Sequence, residues 1–308
     1  MARSERAALV QEIRRHLNPD DRYVNCTARL VVYVRGDDDR PRPFLSYLKI
    51  YGGVYDRVAK RYVRDEAGEL VMPKPGDVHE IDCHPGQVQY LTVHRKKYRR
   101  IVLVGATGSG KSEALARRRW VRCLQRPNTR RGLTAPTNSQ RRTVWDKFVE
   151  FGKARGWIDG EADSKKQIRT ANGCVVDVLA TQRQSREKGH PTQGKDWDDC
   201  GADESSSMDD SAHVDLWDRG RNSPDYTVDE ATSLDDYPSF LLRLEAMRAQ
   251  PEHYLIIKCY GEDNPWTPSS FLEAKIAEYG GPESRMTRRR IRLEEVPPDR
   301  LVYPRFSL

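Results

Sequence analysis

The stretch RRIVLVGATGSGKSEALARRRW, Arg99 to Trp120, decides the fold. An apolar run, Ile101 to Val104, enters the pattern G-x-x-x-x-G-K-[ST] at Gly105, Ala106, Thr107, Gly108, Ser109, Gly110, Lys111 and Ser112. Leu115, Ala116, Trp120, Cys123 and Leu124 follow at helical spacing. Strand, glycine-rich turn and helix in that order make a phosphate cradle. Its glycines let backbone N–H groups close around an anion, and the helix N-terminus adds partial positive charge. In such a cradle Lys111 reaches the β- and γ-phosphates and Ser112 binds Mg²⁺. Gly105 to Ser112, with Glu113 in the first helical turn, are therefore the predicted binding segment for ATP and Mg²⁺.

Working outward, strands and helices alternate. RGLTAPT reads as a second strand and is followed by an amphipathic helix through Val144, Phe148 and Phe151. KKQIRTANGCVVDVLA reads as a hairpin turning at Asn172-Gly173. DWDDCGADES and EHYLIIKCYG each end in polar residues, as buried strands do where they deliver a catalytic loop. The expected class is α/β: a P-loop NTPase of RecA/ASCE type, with a mostly parallel sheet, helices on both faces and a small lid-like subdomain. Residues 1–83, with a short helix Ala7–Leu17 and a strand in RLVVYVRG, read as a lead segment on the ATPase domain. Residues 84–262 read as the core and 263–308 as a lid and linker.

Composition narrows the classes. The 308 residues are 37% hydrophobic and 32% charged, as expected of a globular protein with a charged surface. No apolar run approaches the roughly 18 residues of a membrane helix, and the N-terminus has no signal-peptide core, so an intracellular location is expected. The six cysteines are scattered without a C-x-x-C pair, which argues against a disulfide framework or zinc ribbon. HEIDCH (His79, Cys83, His84) is half a metal pattern without a second half. The net charge is +7, with basic runs at HRKKYRR (His94–Arg100), Arg117–Arg119, RRG (Arg130–Gly132) and RMTRRRIR (Arg285–Arg292). Any one of them reads as a solvated face; all four beside a nucleotide site point to a nucleic-acid partner.

A phosphate cradle needs acidic residues to complete a metal site and activate water. Two pairs qualify: Asp203-Glu204 in CGADES and Asp229-Glu230 in TVDEAT. In the first, Asp203 would hold Mg²⁺ and Glu204 would orient water. Neither preceding strand is rich in large apolar residues. Upstream, Gln87 of HPGQ offers an amide suited to reading an adenine edge.

Taken together, these pieces resemble the ATPase domain of tailed-phage large terminases. HPGQ precedes the cradle by a strand-sized gap, and TAPTNSQRRTVWDKF is similar to the family's segment after its second strand. GKDWDDCGADES resembles a G-x-x-W-D-x-x-x-x-D-E stretch, which places the acidic pair at Asp203 and Glu204. DLWDRGRNSP is similar to an Arg-bearing segment, and EATS places a coupling motif at Ala231, Thr232 and Ser233. YGEDNPWTPSSFLEAKI resembles the Asn-Pro element, and LVYPRF the opening of a nuclease domain.

The resemblance implies ATP hydrolysis coupled to translocation of double-stranded DNA into a procapsid. It also implies a portal protein and a small terminase subunit as partners, and a homo-oligomeric ring, expected as a pentamer, with a monomer possible in isolation. The place of work would be the host cytoplasm, transiently at the portal. Nuclease activity is not expected from this stretch of chain. Many terminases carry an arginine inside the cradle, whereas GATGSGKS has none, so the catalytic arginine is expected elsewhere. Arg186, Arg183, Arg219 and Arg221 are the candidates for a finger supplied by a neighbouring subunit. The main alternative is a superfamily-2-type helicase or other nucleic-acid-dependent ATPase. A helicase of that kind needs a second ATPase-like domain, for which Ser205 to Leu308 is too short.

Overall fold

In a computed structural model the described residues are 83–93, 98–182, 192–235 and 237–296, positions 163, 165 and 193 excepted, with short segments between residues 24 and 81. The predicted helix Ala7–Leu17, the ending Leu301–Phe306, Arg183 and Arg186 lie outside them. The leading strands are β1 (Val24–Ala28), β2 (Val32–Arg35), β3 (Pro41–Leu45), β4 (Leu48–Gly52), β5 (Tyr55–Asp56), β6 (Arg61–Tyr62) and β7 (His79–Ile81). They pair as a small sheet β1-β4-β7 and as the ribbons β2-β3 and β5-β6, all antiparallel.

The body of the molecule runs α1 (Pro85–Thr92), β8 (Arg100–Gly105), α2 (Lys111–Gln125), β9 (Arg130–Ala135), α3 (Asn138–Lys153), β10 (Ile158–Ala162), β11 (Gln167–Thr170) and β12 (Val175–Ala180). It continues through β13 (Asp199–Asp203), a 3₁₀ turn at Ser205–Ser207, α4 (Asp210–Asp218), β14 (Val228–Thr232), α5 (Pro238–Arg248), β15 (Tyr254–Cys259), α6 (Ser269–Glu278) and α7 (Arg285–Arg290). Among the described residues, eight strands form one sheet in the order β10-β11-β12-β9-β13-β14-β8-β15. The six strands from β12 to β15 in that order are parallel, and β10 and β11 extend the sheet antiparallel. The Asn172-Gly173 turn joins β11 to β12, as its sequence predicts.

Both faces of this sheet are covered, so a central strand must be apolar on both sides. In β8, Ile101 and Leu103 pack with α1, α2 and α3, while Val102 and Val104 pack with α5 on the other face. The capping box of Thr137 and Gln140 starts α3, and Trp120 stacks on Phe148 with ring centroids 4.4 Å apart to join α2 to α3. A third cluster, including Trp197, Ala202, Leu216 and Val228, seats α4. The result is helix, sheet, helix, with β14 interposed between the cradle strand β8 and β13.

Two neighbouring strands break the apolar rule. β13 is DCGAD and β14 is VDEAT, yet every residue of both is buried. Their acidic side chains find arginines. Asp229 meets Arg118 (3.3 Å), Arg122 (3.1 Å) and Arg119, all from α2. Asp199 meets Arg119 (2.7 Å) and Arg131. Side chains alternate along a strand, so Glu230 faces the other way and meets Arg100 at 2.9 Å and Arg243 at 3.1 Å. The runs Arg117–Arg119 and Arg130–Arg131 are thus largely interior. Arg118, Arg119 and Arg131 are each at most 1% exposed, so these three are neither a solvated face nor a nucleic-acid surface. Desolvation forbids burying such charge unpaired, and the strand acids supply the pairing.

Among the described residues, no helix is long and apolar enough to cross a membrane.

Candidate active site

The parallel strands end on one edge, where open α/β sheets place their ligands. The cradle loop leaves β8 there, with Gly108 at φ 78° and Gly110 at φ 71°. Both lie in the left-handed region that glycine enters without steric cost. Side chains from distant segments fix the loop backbone. Asn264 Nδ2 and Thr267 Oγ1 donate to the Gly108 carbonyl at 2.6 and 2.7 Å, so the Asn-Pro element clamps the loop. His84 Nε2 lies 2.8 Å from the Ser109 carbonyl, and burial lowers the pKa of this histidine to about 4, leaving a neutral ring. The Ala106 N–H donates to the Cys259 carbonyl at 2.8 Å and the Thr107 N–H to the Arg290 carbonyl at 2.7 Å.

Gln87 takes a different part from the one its sequence suggests. It is buried, does not line the cleft, and donates Nε2 to the Gly110 carbonyl at 3.1 Å. The Nε2 half of its amide supports the loop, a part that the expectation of reading an adenine edge did not include. The Glu113 carboxylate is likewise engaged elsewhere, by Arg117 at 3.1 Å and Lys147 at 3.4 Å. Glu113 therefore offers a phosphate only its first-turn N–H.

Asp203 and Glu204 meet the cradle from β13. Ser112 Oγ donates to Asp203 Oδ1 at 3.1 Å, and Lys111 Nζ lies 3.1 Å from Glu204 Oε1. Burial, then the Glu204 charge, pushes the Asp203 carboxyl up to about 7. Two hard oxygens side by side suit Mg²⁺, which takes few protein ligands and completes its octahedron with phosphate and water. Glu204 sits in the left-handed region at φ 47°, ψ 44°. That conformation is costly for a residue with a side chain and is concentrated at working sites.

The coupling segment lies beside this turn. Thr232 Oγ1 accepts from the Ser206 N–H at 2.9 Å, and Ser233 Oγ lies 3.5 Å from Glu204 Oε2. Asp229 and Glu230, two residues deeper in the sheet, do not reach the cleft. Arg219 and Arg221 lie at the opposite edge. The Arg219 carbonyl bonds the Trp197 N–H just before β13, and Arg221 pairs with Asp196 at 3.5 Å. With β13 and its rise of about 3.3 Å per residue in between, neither reaches Lys111 of its own chain.

The cleft of about 780 Å³ has further lining from the segment expected as a lid, whose residues sequence reading did not assign to the site. Lys275 of α6, Tyr279 just after that helix, and Arg285, Arg289 and Arg290 of α7 line it together with Lys111. The run RMTRRRIR, read as a nucleic-acid surface, thus turns three of its arginines toward the nucleotide side. Its spacing carried no sign of this, because α7 is placed by contacts with Thr107 and Asp235, far away in sequence.

The sequence matches no protein-family model and no curated protein. The fold does match solved structures. It is similar to the large terminase of a thermophilic bacteriophage, with a TM-score of 0.60 and 16% identity over 68% of this chain and 53% of that one. That thermophilic phage protein is also known in complex with ADP and with ATP-gamma-S. The bacteriophage HK97 large terminase matches with a TM-score of 0.53 and 12% identity, over 75% of this chain and 52% of that one. The large terminase ATPase domain of Thermus phage P74-26 matches with a TM-score of 0.53 and 16% identity, over 67% of this chain and 92% of that domain. The chain therefore has the fold of large-terminase ATPase domains, and it spans about half the length of the first two of these terminases.

Proposed function

We propose that this chain is the ATP-hydrolysing motor domain of a viral large terminase. It would drive double-stranded DNA into a procapsid in the host cytoplasm, as a ring working with a portal protein and a small terminase subunit. The observation that carries the reading is the convergence of Lys111 on Glu204 and Ser112 on Asp203, on a fold shared with large-terminase ATPase domains.

In this reading the loop N–H groups and Lys111 hold the β- and γ-phosphates. Ser112 and Asp203 would hold Mg²⁺, which when bound would neutralise charge on the phosphate oxygens. Glu204 accepts a hydrogen bond from water and aims it at the γ-phosphorus. The water oxygen forms the new P–O bond, and the bond to the β–γ bridging oxygen breaks, its electron pair leaving with ADP. The water proton passes through Glu204 to solvent. Ser233, hydrogen-bonded to Glu204, is placed to transmit the change to β14 and its Thr232.

ATP turnover by the purified chain, with Mg²⁺ and with or without linear duplex DNA, tests this. Glu204→Gln should lower turnover by about 10²–10⁴-fold, the usual contribution of a positioned base, while the protein melts at the parent temperature. Lys111→Ala should lose nucleotide binding. A Glu204→Gln protein that hydrolyses as well as the parent sinks the assignment.

A further inference from the structure

Charge around the cleft is lopsided. Lys111, Lys275, Arg285, Arg289 and Arg290 line it, with Glu204 and Asp235 as its acidic residues. A triphosphate is the kind of ligand such a balance admits. The cradle itself offers Lys111 as its only side-chain cation, since Gly105 to Ser112 contains no arginine. Loose phosphoryl transfer spreads charge over several oxygens, which a planar guanidinium meets better than an ammonium.

Arg290 is bound to the cradle in two ways. Its carbonyl accepts from the Thr107 N–H at 2.7 Å, and Tyr279, whose hydroxyl lies 3.3 Å from Thr107 Oγ1, is also hydrogen-bonded to its side chain. The half-exposed guanidinium itself is held by Asp235, Nη2 to Oδ1 at 2.6 Å. Asp235 is in turn tied to the turn that carries Glu204. Ser206 Oγ donates to Asp235 Oδ2 at 2.8 Å, and the Ser206 N–H donates to Thr232 at 2.9 Å. One carboxylate therefore links the guanidinium beside the phosphate loop to the segment beside the water-orienting residue.

Resting on the ATPase reading, we propose that Arg290 is the arginine that meets the terminal phosphate, supplied by the same chain, and that Asp235 holds it until nucleotide arrives. The exchange of Asp235 for phosphate reports the γ-phosphate to Ser206 and Thr232. The arginine expected from a neighbouring subunit thus has a counterpart within the chain.

The test is binding of ATPγS and ADP, each with Mg²⁺, to the full chain by calorimetry. Arg290→Ala should weaken ATPγS at least about tenfold, as loss of a charged hydrogen bond does, and leave ADP within about twofold. Arg290→Gln keeps a donor for Asp235 and serves if the alanine variant unfolds. In melting experiments, Arg290→Ala and Asp235→Asn should be non-additive without nucleotide and additive with ATPγS. An unchanged ATPγS-to-ADP ratio in both Arg290 variants overturns the assignment, and non-additivity that persists with ATPγS overturns the exchange. A parent protein that binds neither nucleotide overturns the ATPase reading itself.

Discussion

Two Asp-Glu pairs lie on adjacent parallel strands, and the protein uses them in opposite ways. The register pairs Gly201 with Asp229, Ala202 with Glu230 and Asp203 with Ala231. The β14 pair thus sits two residues deeper than the β13 pair. At the strand end, Asp203 and Glu204 reach Ser112 and Lys111 across an open cleft. In the strand interior, Asp229 and Glu230 are fully buried and neutralise arginines on opposite faces of the sheet. Depth along the strand, not residue type, separates the pair at the cleft from the pair in the interior.

Removing a carboxylate should break the two pairs in different currencies, and the interior pair gives the largest effect on stability. Asp229→Asn leaves Arg118, Arg119 and Arg122 without their shared counter-charge in a desolvated layer. Loss of one partner from a buried ion pair costs about 3–5 kcal/mol. Chemical denaturation should show that loss for Asp229→Asn and almost none for Glu204→Gln. Equal stabilities would mean the arginine layer is satisfied from elsewhere.

This contrast also marks what the sequence could reveal. The cradle was legible because strand, loop and helix are consecutive, and each step is a local signal. The choice between acidic pairs came from the family resemblance alone, because register between β13 and β14 is set by packing and appears in no local pattern. Reading the arginine runs as surface failed for a related reason. The partners of Arg119 and Arg122 lie 80 and 107 residues away, so neutralisation in the interior leaves no trace nearby. β13 looked poor as a strand because it lacks bulk, yet the lack has a purpose. A Cβ at Gly201 would come within 2.7 Å of Arg119 Cδ, so the missing side chain makes room for the arginine.

Acid titration sharpens the comparison at an intermediate scale. Burial pushes the Glu230 carboxyl up, but Arg243 and Arg100 prevail and bring it from 4.5 to about 2. The folded pKa is depressed, so this group's stabilisation is complete above pH 4.5 and is lost as pH falls from there toward 2. The stability advantage of the parent over Glu230→Gln should therefore be constant from pH 7 to pH 5. It should shrink by roughly 1–2 kcal/mol by pH 3.5. An advantage that declines already between pH 7 and 5 would show that Glu230 is not held ionised by its arginines.

The smallest effect concerns the backbone. Glu204 occupies the left-handed region, whereas Asp229 lies in a regular strand. A Cβ in the left-handed region costs about 1–2 kcal/mol, and glycine avoids it. Within a strand the order reverses, because glycine carries a larger entropy cost than alanine of about 0.5–1 kcal/mol. Comparing alanine with glycine at each site cancels the loss of the carboxylate. Glu204→Gly should then be more stable than Glu204→Ala by about 1 kcal/mol, and Asp229→Gly less stable than Asp229→Ala. Neither Glu204 variant should hydrolyse ATP, so the glycine protein would be the more stable of two inactive ones. That outcome would place the strain in the turn that aims the carboxylate, and matching orders at the two sites would remove it.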